Sequence, residues 1–120
     1  MVTEYYGGGT LDYHLRDRKY RFKEHEAKFI IACLLQGLEF VHNNGVLHRD
    51  IRPQNLVIDK ETGYVRLTGF EFARIYTELN AADSSGTPGY IAPEVLFRQN
   101  YSFTSDFFGV GAIIYEMLLG

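Results

Sequence analysis

The sequence predicts an α+β fold, mainly helical, with small two-stranded hairpin elements. Three observations carry that prediction. Ala27, Ile31, Leu34, Leu38 and Val41 recur at spacings of four and three, which places them on one face of a helix opened by Glu24 and Glu26. The stretch Phe107 to Leu119 is almost wholly apolar, as in a buried core helix. Between them, Leu56-Val57-Ile58 and Tyr64-Val65-Arg66-Leu67 read as two short strands joined by a turn around Asp59 to Gly63.

The remaining elements follow in chain order. Met1 to Tyr6 favours an extended segment that Gly7-Gly8-Gly9 should break. Thr10 can cap a short helix through Leu15, with Asp12 in the first turn where the helix dipole favours negative charge. The basic run from Arg16 to Lys23 reads as a solvated connector. In the long helix Ile30, Leu35 and Phe40 should widen the apolar stripe, and Asn43-Asn44-Gly45 should end it with Gly45 left-handed. Val46 and Leu47 lead into a polar loop. Gly69 to Glu94 reads as one long connection, a length that compact domains usually reserve for function. The last helix should begin near Thr104 or Ser105, with Asp106 buried in its first turn.

At 120 residues the chain suits one domain with a real core. A net charge of −3 and a pI near 5.8 leave no basic footprint for nucleic acid. The hydrophobic fraction of 46%, with nine Tyr and nine Phe, argues for a folded protein. Cys33 is the single cysteine, which excludes an internal disulfide, fits a reducing compartment and suggests an inert core residue. No secretory leader is visible at Met1-Val2-Thr3-Glu4, and the apolar C-terminal stretch is shorter than the ~20 residues of a membrane span, so a cytoplasmic location is the default expectation. That stretch runs to the final residue without a polar run-out, which leads us to expect a piece of a longer protein. Nothing in the sequence indicates an oligomeric state.

The chemistry is concentrated in His48-Arg49-Asp50-Ile51-Arg52-Pro53-Gln54-Asn55. An acid, two guanidinium groups, an imidazole and a carboxamide share eight residues between a helix and a strand. Pro53 biases Arg52 away from helix, so this is a loop, and polar loops held by rigid elements are where active sites tend to sit. A solvated charged turn is the plain alternative for the cluster taken alone.

The surroundings decide. HRDIRPQN, two strands, Gly69-Phe70-Glu71, GTPGYIAPE at Gly86 to Glu94 and SDFFGVG at Ser105 to Gly111 occur in one order. Together they resemble the large lobe of a eukaryotic protein kinase, from a hinge-like Met1 to Tyr6 to the helix after the activation segment. Arg52 followed by Pro53, and GTPGYIAPE, are similar to the serine/threonine type, and the hinge most resembles the AGC-like group of cyclic-nucleotide-dependent kinases. The resemblance implies a kinase-like fold of which residues 1–120 hold only the mainly helical C-terminal lobe, with the N-terminal lobe and the later helices absent. It also implies ATP, Mg²⁺ and a protein substrate or partner.

The site residues are carried over one by one. Asp50 matches the carboxylate that accepts the substrate hydroxyl proton, Arg52 the phosphate-contacting cation, Asn55 the carboxamide ligand of Mg²⁺ and Thr87 the hydroxyl tying the activation segment to the loop. Glu4 and Tyr6 would face the adenine edge with Thr3 as gatekeeper. Leu11 and Val57 would form the apolar floor, continued by Leu56, Ile58, Ile113 and Met117. His48 and Phe70 match stacked structural positions, and Asp106 the buried anchor of the catalytic loop. Glu94 matches an acid whose arginine partner lies in a later helix, so it should be buried and uncompensated. Asp83 stands where relatives phosphorylate a threonine, with Arg49 as its partner and a fixed charge in place of the phosphate.

Two departures weaken the expectation of activity. Gly69 replaces the Mg²⁺-binding aspartate, and loss of one preorganised charge stabiliser costs roughly 10²- to 10³-fold. The family's phosphate-gripping glycine loop, lysine and glutamate belong upstream of the hinge. A gain of activity on Gly69→Asp would show the rest of the site intact. Thr10 and Gln54 occupy positions where arginine-selecting relatives carry acids, leaving Glu116 of that set and predicting weak basophilic preference. The expectation is therefore a serine/threonine kinase domain fragment, inactive as it stands, with a non-catalytic pseudokinase module as the alternative.

Overall fold

In the computed structural model, residues 7–17, 22–76, 89–96 and 102–120 are described. Strand β1 (Gly7–Thr10) runs directly into helix α1 (Leu11–Asp17), followed by the long helix α2 (Glu24–Asn43). Strand β2 (Val46–Leu47) precedes the polar loop, which closes in a 3₁₀ turn at Pro53–Asn55. Strands β3 (Leu56–Asp59) and β4 (Val65–Leu67) form the expected antiparallel hairpin. A second 3₁₀ turn at Phe70–Phe72, strand β5 (Arg74–Ile75), the single helical turn α3 (Pro93–Leu96) and helix α4 (Phe103–Leu119) complete the described chain.

The glycine run does not break the chain at its entry. It forms β1, the outer strand of a three-stranded sheet of order β1-β3-β4, with Gly7 opposite Asp59 and Thr10 opposite Val57 across an irregular register. The physical reason is the missing side chain: a β-carbon on Gly8 would overlap the Ile58 backbone carbonyl, so only glycine allows this approach. Thr10 caps α1 as expected, its Oγ1 accepting from the Tyr13 amide at 3.2 Å.

Long connection 69–94 contains structure that pattern reading missed. Val46 pairs with Ile75 and Leu47 with Arg74 in an antiparallel ribbon. Two-residue strands are too short to show alternation.

Helix α2 buries Ala27, Ile30, Leu34 and Leu38, ends at Asn43 and places Gly45 at φ +74°, as its sequence requires. The expected stripe is too wide, however. Ile31 and Val41 are half-buried, while Leu35 is exposed and Phe40 is 72% exposed. Leu35 and Phe40 lie roughly 100° or more around the helix from the centre of the buried row, beyond what one packed face reaches.

Helix α4 begins at Phe103, one residue before the expected start. It buries Ser105, Asp106, Gly109, Val110, Ile113 and Met117. Phe107, Phe108, Tyr115 and Leu119 are exposed, so among the described residues the helix is buried on one face only. No helix in the described residues is long and apolar enough to cross a membrane.

The main core lies where α2 and α4 meet the sheet, with Leu11, Leu34, Leu38, Leu56, Ile113 and Met117 fully enclosed. Each such side chain contributes roughly 1.5–3 kcal/mol. Phe22 closes one end, its amide donating to the Met117 carbonyl at 2.9 Å. Cys33 is half-buried against this core with a free thiol. A smaller cluster of Leu47, Ala92 and Val95 sits beneath β2 and α3.

Candidate functional site

The loop is hung from one carboxylate. Asp106, 1% exposed on the first turn of α4, accepts the backbone amides of His48 at 3.0 Å and Arg49 at 2.9 Å, and His42 Nε2 at 2.7 Å. Sequence reasoning found Asp106 but not His42, which lies on the last turn of α2 with its ring edge-on to Phe103 and Phe107. Nothing local distinguishes that histidine. Its partner is 64 residues away.

His48 is enclosed and its tautomer is set by its neighbours. A carbonyl only accepts, so Nε2 donates to Thr68 O at 2.7 Å, and Nδ1 must then accept the Asp50 amide at 3.1 Å. That arrangement requires a neutral ring. Burial pushes the imidazole pKa below its ordinary value and outweighs the raising influence of the Thr68 bond and of Asp106 and Asp50. The Phe70 ring packs against it at 4.8 Å, so this expected pair is brought together, although Phe70 itself is partly exposed.

Arg49 turns the chain. Its φ of +71° is the one left-handed non-glycine conformation among the described residues, held by its amide bond to Asp106 and by Nε donating to Phe72 O at 2.7 Å. The turn directs Asp50, 6% exposed, into the site. Asn55 Nδ2 donates to both the Asp50 carbonyl at 2.8 Å and carboxylate Oδ2 at 3.1 Å. Arg52 Nε stands 3.6 Å from the same Oδ2. Asn55 is fixed in turn, because its carbonyl accepts the Thr68 amide at 2.8 Å and the Thr68 hydroxyl at 3.2 Å. Asp50, Arg52 and Asn55 are thus in mutual contact.

Gly69 follows Thr68 at φ +76° with its α-carbon facing the end of Asn55. A β-carbon there would overlap the Asn55 carboxamide.

The other expected residues fall around this centre. Leu11 is fully buried in the core and Val57 half-buried on β3 opposite Thr10. Glu94 is half-buried rather than buried and uncompensated: Ser105 Oγ donates to it at 2.8 Å, because α3 packs against the start of α4. Gln54 donates to Asp12 at 3.1 Å, and Asp12 pairs with Arg16. Glu116 accepts the Tyr90 hydroxyl, and burial, then that carboxylate, hold the phenol above its usual pKa range. Glu4, Tyr6, Thr3, Asp83 and Thr87 lie outside the described residues.

The set of ligands for a divalent cation is incomplete here. Asn55 turns its amide nitrogen toward Asp50, which leaves Oδ1 as the carboxamide's ligand atom, while Gly69 offers no ligand. No group of three or more His, Cys, Asp or Glu among the described residues could hold a metal. What the arrangement does offer is a shielded carboxylate, held by a carboxamide and a guanidinium, that can accept a proton from a hydroxyl.

A neutral histidine, a left-handed arginine and an acid, all suspended from a buried aspartate on a distant helix, define a loop built to orient one carboxylate, and the chain belongs to the protein kinase domain family, whose model matches residues 1–120. Within it the chain is of the serine/threonine, AGC-like kind. It is 39% identical to protein kinase C delta type of Rattus norvegicus over 122 residues, 41% to a probable cAMP-dependent protein kinase catalytic subunit of Encephalitozoon cuniculi over 120, and 39% to cGMP-dependent protein kinase 2 of Homo sapiens over 121. Each match covers the whole of this chain but 18%, 36% and 16% of those proteins respectively.

Proposed function

We propose that residues 1–120 are the hinge-to-α4 portion, in the large lobe, of a serine/threonine kinase domain that retains its catalytic loop and does not transfer phosphate as it stands. ATP and Mg²⁺ belong to the family's chemistry. The observation that carries the reading is Gly69, which stands beside the Asn55 carboxamide and has no side chain to supply the carboxylate the family places there. Asp50 keeps the role of proton acceptor, His48 and Asp106 hold it in place, and Arg52 balances its charge. Leu11 and Val57, with Glu4 and Tyr6, are assigned to the nucleotide side, while Arg49, Asp83 and Thr87 are assigned to the activation segment.

The test is transfer of labelled γ-phosphate from ATP to a generic protein in the presence of Mg²⁺. Incorporation no greater than that of Asp50→Asn is expected, and incorporation that Asp50→Asn abolishes would overturn the reading. A non-catalytic binding module is the second reading, favoured by the engagement of Asp50 within its own loop, paired with Arg52 at 3.6 Å and hydrogen-bonded by Asn55. A ligand-induced rise in melting temperature without phosphate transfer distinguishes it from a segment that binds nothing.

Substrate preference is assigned to the same face. Glu116 is engaged by Tyr90, and Gln54, an uncharged carboxamide where relatives carry an acid, donates to Asp12, so neither presents an uncommitted carboxylate to a basic peptide. Any transfer recovered in an activated form should show weak arginine selection on a peptide array. Strong selection would refute this assignment.

A further inference from the structure

We propose that Asp12 is a positioning residue for the catalytic loop: from α1 it holds the 3₁₀ turn Pro53–Asn55 through the Gln54 carboxamide, and it thereby excludes a carboxylate from position 54. The inference deepens the substrate preference argued above and rests on Asp50 being the acid of the site.

Asp12 is placed for more than favouring the α1 dipole. Its side chain is only 17% exposed, and its two oxygens face different ways. Oδ2 pairs with Arg16 one turn on, while Oδ1 accepts from Gln54 Nε2 at 3.1 Å, across 42 positions of sequence. Chemistry fixes the orientation of Gln54, because turning the carboxamide over would set its oxygen against a carboxylate. Gln54 Oε1 is buried and accepts no hydrogen bond among the described residues, so the bond to Asp12 is what fixes this side chain.

The tether lies next to the site. Gln54 stands between Pro53 and Asn55, and the turn closes where the Asn55 amide donates to the Arg52 carbonyl at 3.0 Å. Asn55 in turn donates to Asp50, so the hold at 54 is one residue from a group that touches the acid.

Charge decides what position 54 can carry. Glutamate there would exchange the N–H facing Asp12 for a second carboxylate, and like charges about 3 Å apart do not both ionise without cost. Arg16 would offset only part of this, since its side chain is 76% exposed and its attraction is screened by water. Acid is already concentrated nearby: burial, then Glu116, then Asp12 hold the Tyr90 phenol above its usual range. The neutral residue at 54, on which weak arginine selection depends, is therefore imposed by α1.

The experiment uses the whole chain, thermal melting and amide hydrogen exchange, so neither nucleotide nor phosphate transfer enters it. Gln54→Glu should lower the melting temperature and quicken exchange at the Asn55 amide several-fold, well beyond any change at the Asp59 amide of the β3–β4 hairpin. Adding Asp12→Asn runs the same hydrogen bond in the opposite direction, with the amide on α1 and the carboxylate on the loop, and should restore most of both losses. Asp12→Asn alone keeps an acceptor for Nε2 and should cost less than Gln54→Glu. If Asp12 served only the helix dipole, position 54 would be indifferent to charge. A Gln54→Glu chain that melts and exchanges like the unaltered one, or a double variant whose losses are the sum of the single ones, would overturn the proposal. Where Gln54→Glu does not fold, Asp12→Ala and Gln54→Ala form a second cycle: each should quicken exchange at Asn55, and the second should add little to the first. Additive changes there count against the proposal equally. Phosphate transfer by the unaltered chain, by contrast, would sink the proposed function without touching these readouts.

Discussion

At Asp106 a single buried carboxylate satisfies two loop amides and an imidazole. Asp106→Asn removes the charge and turns an acceptor into a donor facing a donor, so stability should fall by about 3 kcal/mol in urea denaturation. His48 makes a different demand. Its folded pKa lies below the ordinary 6.5 because burial disfavours the charged ring, so the unfolded chain binds the proton more readily. The His48 contribution is therefore intact above pH 6.5 and is lost as pH falls from there toward the folded value. Urea denaturation across that range should show stability declining toward acid, and His48→Phe should flatten the decline while lowering stability overall. An unchanged slope in that variant would assign the decline to other groups.

Among the elements, α2 separates pattern from packing. Leu34→Ala should cost about 2–5 kcal/mol, since the side chain is enclosed, while Phe40→Gln should change stability by no more than about 0.5 kcal/mol, since it is exposed. Equal effects would contradict the observed face. Helix α4 meets the loop through Gly109, where a β-carbon would press on the Ile51 carbonyl and side chain. Gly109→Ala should lower stability by about 1–3 kcal/mol by separating α4 from the loop it anchors. A residue with no side chain here sets how closely two elements approach. Gly8 does the same for β1 against β3.

For the whole molecule, the site depends on elements far apart in sequence. The loop bonds to α4 through Asp106, to α2 through the shared contact with His42, and to residues 68–72 through Thr68 and Phe72. His42→Ala leaves both loop amides bonded to Asp106 but withdraws the imidazole that orients the carboxylate. Hydrogen exchange at the His48 and Arg49 amides should therefore quicken, well beyond any change in the β3–β4 hairpin. A uniform change across the chain would show that His42 supports only global stability.

Much of this was legible in residue order. The period of α2, the stop at Asn44-Gly45, the β3–β4 hairpin and the loop HRDIRPQN rest on local preferences and spacing, which neighbours in sequence largely determine. The family followed from motif order, and Asp106 from an acid placed inside an apolar helix. Tertiary structure alone decided which face of α2 is buried, that two glycines mark close backbone approaches, and that β2 and β5 pair across a long connection. It alone placed His42 on Asp106 and the Asn55 carboxamide in the space beside Gly69. Those facts depend on contacts between residues separated by 14 to 64 positions, and no local preference encodes what a distant segment will bring.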